Sequence, residues 1–237
     1  MSSCACVRRV YNQDMKRVIK KKKEKATTAK RGSFIVIEGD DGSGKSSCID
    51  FLTKKLSGRG DVIFTREPGG TSAGELIRKV LQDPNIPEVD VKTDLLLYSA
   101  ARAEHLAKVI TPALEQGKCI ICDRFDLSTW AYQIHTRDND SSAEYFGKLN
   151  SFVVGNSAPD IYIFLDVSPE VGAGRSRKRN DELSRFDKKN LEFHAQVREG
   201  YKKYIKKVPH KIIDTDNLSA EEVSMLVYRM VLELIKN

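Results

Sequence analysis

Apolar positions along the chain follow two different periods. Short, nearly continuous apolar runs occur at 34–38 (Phe-Ile-Val-Ile-Glu), 61–65 (Asp-Val-Ile-Phe-Thr), 119–123, 161–166 (Ile-Tyr-Ile-Phe-Leu-Asp) and 211–214. Between them, at 45–57, 93–116, 127–135, 187–207 and 219–236, apolar residues recur every three or four positions. The clearest stretch is 93–116, with Leu95, Ala100, Leu106, Val109, Ile110 and Leu114 on the helical period, Thr93 as the expected N-cap and Gly117 as the stop. Strand-like runs alternating with helical ones predict an α/β fold: a five-stranded parallel sheet with helices on both faces, its strands apolar throughout because both sides are covered. In such sheets ligands gather at the carboxyl ends of the strands.

The first strand runs directly into Gly39-Asp-Asp-Gly-Ser-Gly-Lys-Ser46, the spacing G-x-x-x-x-G-K-S, and a helical segment follows. Strand, loop and helix in that order are the context a P-loop requires. The glycines let successive N–H groups turn inward on a polyphosphate, Lys45 brings a point charge to the β/γ-phosphates, and the Ser46 hydroxyl suits the Mg²⁺ shell. Gly39, Asp40, Asp41, Gly42, Ser43, Gly44, Lys45, Ser46 and Ser47 therefore form the candidate ATP site, with Mg²⁺ as the accompanying ion. A glycine turn that only joined strand to helix would leave Lys and Ser at those two positions unexplained.

Charge changes the picture only after it is divided. The chain carries +7, but residues 1–33 hold 11 Lys or Arg against Asp14 and Glu24, while the other 204 hold 29 basic against 31 acidic residues. The basicity belongs to a tail, read from its composition as a disordered, solvated extension, with a basic amphipathic helix as the alternative. A near-neutral body lacks the field of a nucleic-acid-binding domain, so any nucleic-acid contact is restricted to the tail. No apolar run approaches a bilayer span, and lysines stand where a secretory leader would be apolar; a cytoplasmic protein with one compact domain over 34–237 is expected.

Polar residues at strand ends supply the remaining candidates. Arg66 closes the second run, placed to clamp a phosphate with its planar fork. Asp123 ends the third, where a carboxylate for the Mg²⁺ shell is expected, and Arg124 follows it; Asp166, ending the fourth, is the competing carboxylate. Cys119 and Cys122 spell C-x-x-C, yet strand residues three apart point to opposite faces, so buried thiols are predicted rather than a zinc or redox pair. The Gly- and Arg-rich stretch 172–186 is the predicted mobile segment.

Three segments, Arg66-Glu-Pro-Gly-Gly-Thr71, Leu95-Leu-Leu-Tyr-Ser-Ala-Ala-Arg102 and Asp123-Arg-Phe-Asp-Leu-Ser-Thr-Trp-Ala-Tyr-Gln133, together with the P-loop and Leu165-Asp-Val-Ser-Pro-Glu-Val171, closely resemble thymidylate kinase across essentially 34–237. The resemblance implies a P-loop kinase fold with a mobile lid near 172–186, a homodimer, and transfer of the ATP γ-phosphate to dTMP, giving dTDP and ADP for dTTP synthesis. Arg66 and Arg124 would hold the dTMP phosphate. Arg102 would donate to thymine O4, Tyr98 would stack on the base where phenylalanine is commoner, and Thr129 and Gln133 would lie near its remaining polar edge. Tyr132 would lie against the sugar at C2′, and Asp41 near the 3′-hydroxyl.

Two positions depart from the family pattern or divide it. Gly42 stands where some members carry an arginine, so the charge would come from the lid, foremost from Arg177 and Arg179 with Arg175 and Arg185 beside them. Asp40 replaces a usually aliphatic residue; two adjacent carboxylates would repel a polyphosphate unless one faces away or meets a metal or an arginine. The body resembles the bacterial-type enzymes, and the long basic extension suggests a large DNA virus as source, which would place the protein in host cytoplasm. Two alternatives stay open: a kinase of another pyrimidine nucleotide or nucleoside, and a nucleotide-gated nucleic-acid-binding protein.

Overall fold

The computed structural model describes residues 31–83, 85–86, 89–137, 141–177 and 190–236. The basic tail up to residue 30 and the lid positions 178–186, with Arg179 and Arg185, lie outside the described residues. Five parallel strands, β1 (Phe34–Gly39), β2 (Val62–Arg66), β3 (Cys119–Asp123), β4 (Ile161–Asp166) and β5 (His210–Asp214), form one sheet in the order β2-β3-β1-β4-β5. The strand order reverses at central β1, so the crevice at its carboxyl end is the natural ligand position.

Alternation along the strands divides the core into two layers. Phe34 and Val36 of β1 join Ile120, Cys122 and Phe164 in one cluster, whereas Ile35 and Ile37 join Cys119, Ile121, Ile163 and Leu165 in the other. Helices α1 (Lys45–Leu56) and α8 (Ala220–Lys236) cover the second layer through Cys48, Leu52 and Leu56 and through Val223, Val227 and Val231, a stripe at four-residue spacing. Cys119 and Cys122 thus sit on opposite faces, as predicted. Burial pushes Cys119 up to about 12 and Cys122 well above its ordinary value, which keeps both as protonated thiols unsuited to zinc or exchange chemistry.

The first layer lies under α4 (Asp126–Thr129), α7 (Leu191–Tyr204) and the stretch that continues α3 (Val91–His105), through Leu106, Ile110, Ala113 and Leu114. Thr93 does not cap α3. The cap is Asp90, whose carboxylate accepts the Lys92 N–H at 2.9 Å. The long periodic run then widens into a π turn at Leu106–Ile110 before resuming over Thr111–Glu115, because Pro112 has no N–H for the carbonyl four residues back. Gly117 ends it at φ 76, as expected. The predicted helix 127–135 is likewise a short α turn followed by a π turn, Trp130–His135.

Helices α2 (Ser72–Gln82), α5 (Ser141–Val154) and α6 (Pro169–Ser176) escape the periodicity reading. In α2 the reason is plain: Leu76 is 64% exposed and Val80 45%, so its apolar stripe does not mark the core. Among the described residues no helix is long and apolar enough to cross a membrane.

Candidate active site

The carboxyl ends of β1 and β3 are neighbours, and that adjacency brings the P-loop against Asp123-Arg124. Gly44 takes a left-handed conformation (φ 89) and starts α1, so Lys45 turns back over the loop and reaches Asp123 Oδ1 at 2.9 Å. Burial alone would raise the Asp123 carboxyl, but Lys45 and Arg124 beside it hold it below the usual range, and it is an ionised oxygen donor. Asp166, the competitor, is occupied: Arg198 takes both its oxygens at 2.6 and 3.0 Å, and Lys202 approaches at 2.8 Å.

Arg124 has a positive φ of 64, an unusual conformation for a side-chain-bearing residue at the turn after β3. Its guanidinium donates to Asp41 Oδ1 at 3.3 Å, to the Tyr201 hydroxyl at 3.0 Å and to Ser128 Oγ at 3.3 Å, and it lies 5.2 Å from the Tyr132 ring centre. This one side chain joins the P-loop to the helical segment that carries Thr129, Tyr132 and Gln133. The turn itself hangs on Glu38, fully buried in β1, which accepts from Phe125 N, Ser128 N, Ser128 Oγ and the Tyr201 hydroxyl at 2.8, 3.3, 2.6 and 3.2 Å. Burial pushes the Glu38 carboxyl up to about 7, against those donors.

A second polar cluster lies around Arg102. Its Nε meets Glu67 Oε2 at 2.8 Å, its Nη2 meets Thr129 Oγ1 at 2.9 Å, and its guanidinium stands 4.8 Å from the Phe125 ring centre. Glu67 turns its other oxygen to His105 Nδ1 at 3.1 Å; since a carboxylate only accepts, that nitrogen carries the proton, and Nε2 meets Thr65 Oγ1 at 2.6 Å. Gln133 is 1% exposed, and its amide nitrogen has no hydrogen-bond partner among the described residues. A buried donor left open in this way fits a site that a ligand's acceptor completes.

Not every sequence candidate joins these clusters. Arg66 extends outward to Glu75 at 2.9 Å with its side chain 51% exposed. Arg177 caps α6. The two aspartates divide: Asp41 meets an arginine, as expected of one of them, whereas Asp40 meets neither arginine nor an open face but the Tyr132 hydroxyl at 2.6 Å and His194 Nδ1 at 2.9 Å. Glu38, Glu67, His105, Ser128, His194 and Tyr201 were not singled out from the sequence. A signal for some exists: Glu38 is a carboxylate inside an apolar strand, His105 follows Arg102 by three positions, and Tyr201 follows His194 by seven, in each case on one helical face.

The family model described as thymidylate kinase matches residues 37–227. The chain belongs to the thymidylate kinase family. It is 40% identical over 208 residues to a thymidylate kinase of Oceanobacillus iheyensis, covering 87% of this chain and 90% of that one. A Clostridium novyi thymidylate kinase is 41% identical over 184 residues, covering 77% and 89%. Among solved structures, thymidylate kinase from Ehrlichia chaffeensis superimposes with a TM-score of 0.67 at 32% identity, covering 85% of this chain and 99% of that one. As a member of this family the chain is a P-loop kinase, and Lys45, Asp123 and Arg124 lie together at the carboxyl ends of β1 and β3.

Proposed function

We propose that this thymidylate kinase moves the γ-phosphate of ATP to dTMP, giving dTDP and ADP, with the residues in the following roles. The P-loop, Gly39 to Ser47, cradles the ATP phosphates, and Lys45 neutralises the β/γ oxygens. The ionised Asp123 carboxylate and the Ser46 hydroxyl are suitable oxygen donors and would hold Mg²⁺, which would supply further neutralisation of the phosphate oxygens. Arg66 and Arg124 bind the dTMP phosphate, which repels the γ-phosphate unless cations stand between them. Arg102 and the open Gln133 amide read the thymine edge, with Thr129 holding Arg102, Tyr98 stacking on the base, Tyr132 beside the sugar and Asp41 near its 3′-hydroxyl.

The attacking phosphate oxygen is already ionised near neutral pH, so no general base is required. Catalysis is positioning plus charge: Lys45 and Arg124 from the body, and Arg177 and Arg179 assigned from the sequence to the transferring group. The observation that carries the reading is Arg124, whose contacts to Asp41 and to the Tyr132 ring bridge the donor and acceptor halves. Turnover of dTMP, dUMP, UMP and thymidine with ATP tests it. dTMP should be preferred; a chain that turns over thymidine or UMP but not dTMP would sink the assignment.

A homodimer is part of this reading. Leu76 of α2, Leu96 of α3 and Phe152 of α5 are 64%, 59% and 84% exposed, an apolar set suited to a self-complementary two-fold contact. Buried, reduced thiols fit a cytoplasmic setting.

A further inference from the structure

We infer that Asp40 is a positioning residue for acceptor selectivity, holding the Tyr132 ring in the one orientation that excludes a 2′-hydroxyl from the sugar subsite. The inference rests on the reading of Tyr132 as the residue beside C2′ and goes beyond it by naming what fixes that residue.

Tyr132 sits in the π turn Trp130–His135, a wider and less regular turn than an α-helix provides, so backbone geometry alone is a weak constraint on its ring. The body of the ring is already packed: Arg124 lies 5.2 Å from its centre, and the Phe193 and Tyr201 rings stand 6.1 and 6.3 Å away. What remains is rotation and tilt at the hydroxyl end. There Asp40 Oδ1 accepts the phenol at 2.6 Å, and the phenol is the donor because a carboxylate can only accept.

Asp40 is itself held from three directions. Its Oδ1 also takes the Asp41 N–H at 2.8 Å, its Oδ2 meets His194 Nδ1 on α7 at 2.9 Å, and it is 7% exposed. The carboxylate is therefore a rigid post between P-loop, π turn and α7. An aliphatic residue at this position could pack against the ring but could not fix its hydroxyl. Rejection of an added hydroxyl by a wall of side chains is modest, on the order of 10², and it falls further when the wall can move.

The test is the ratio of kcat/KM for dTMP to that for ribothymidine 5′-monophosphate at saturating ATP, measured on the full chain. Asp40→Val should lower the ratio about tenfold, mainly by raising use of the ribonucleotide, and Tyr132→Phe should lower it as far. The combined variant should fall no further, because both changes remove the same phenol–carboxylate hydrogen bond. Asp40→Asn keeps an acceptor for the phenol and should keep the ratio. An unchanged ratio in Asp40→Val overturns the inference; so does a fall in Asp40→Asn equal to that in Asp40→Val, since charge rather than the hydrogen bond would then be at work. If Asp40→Val fails to fold, Tyr132→Phe alone decides. Tyr132→Ala separates the two levels: a ratio it leaves intact overturns the placement of Tyr132, whereas a ratio it collapses while Asp40→Val spares it overturns only the role of Asp40.

Discussion

Gly42 and Gly172 meet backbone to backbone: a Cβ built on Gly42 would lie 2.2 Å from the Gly172 carbonyl oxygen. Gly42 also holds φ at 76, and Arg175 secures the contact by donating to Gly42 O at 3.3 Å and to Thr215 O at 2.8 Å. This position of the loop is closed to any side chain. Gly42→Ala should therefore cost at least about 1–3 kcal/mol from the left-handed backbone alone, with the clash added. Gly42→Arg should be worse and should not raise kcat. Thermal melts with and without ATP check this, and a Gly42→Arg variant of ordinary stability and higher kcat would contradict it.

Arg102→Ala should damage dTMP use far more than ATP use, but it also strips Glu67 of its arginine partner in a fully buried pair, leaving only His105 among the described residues. Removing one member of such a pair typically costs about 3–5 kcal/mol. Arg102→Lys, which keeps the charge and loses the planar fork, is the cleaner probe. It should raise KM for dTMP about tenfold or more while leaving KM for ATP within about twofold. Equal losses on both substrates would remove Arg102 from the acceptor site.

The sheet was legible in the sequence because its strands are buried on both faces and read as unbroken apolar runs. Each observed strand lies within a residue or so of its predicted run. The P-loop and Asp123 were legible because their chemistry follows directly from spacing and strand ends, and Lys45 does reach Asp123. Helices were harder wherever burial and period part company: α2 shows its apolar residues to solvent, and Pro112 breaks the period of the longest helical run into a π turn. The supporting carboxylates were hidden for another reason. Glu38 and Glu67 act on backbone N–H groups, hydroxyls and an arginine from distant segments, and a linear pattern records none of those partners. Asp40 was recognised as out of place, but its partner His194 lies 154 positions away.

The apolar set on α2, α3 and α5 gives an oligomer test independent of catalysis. Leu96→Glu combined with Phe152→Glu adds charge at two positions exposed in the single chain, where the core loses nothing, so the folding stability of the monomer itself should change by no more than about 0.5 kcal/mol per site. Sedimentation should show the parent chain as a dimer and the double variant as a monomer. A monomeric parent, or an unchanged dimer in the variant, would exclude this face.

Glu38 should give the protein an unusual pH dependence of stability. Its carboxyl titrates near 4.5 in an unfolded chain and is pushed up to about 7 by burial in the fold. Between those values the folded chain keeps a proton that the unfolded chain has released, so this group stabilises the fold fully below pH 4.5 and its contribution is lost as pH rises through about 7. The span corresponds to at most about 3 kcal/mol. Asp123 and Asp166, held below the usual carboxylate range, act oppositely and in more acid solution, and every other titrating group is common to the parent and a Glu38 variant, so the difference between the two from pH 5 to 7.5 isolates Glu38. Glu38→Gln removes the titration and retains an acceptor for Phe125 N. Denaturant midpoints across that window should fall with rising pH more steeply in the parent than in Glu38→Gln, by a difference that closes at the acid end. Parallel curves would mean that Glu38 stays ionised throughout, held by Ser128, Arg124 and the Phe125 N–H against the cost of burial.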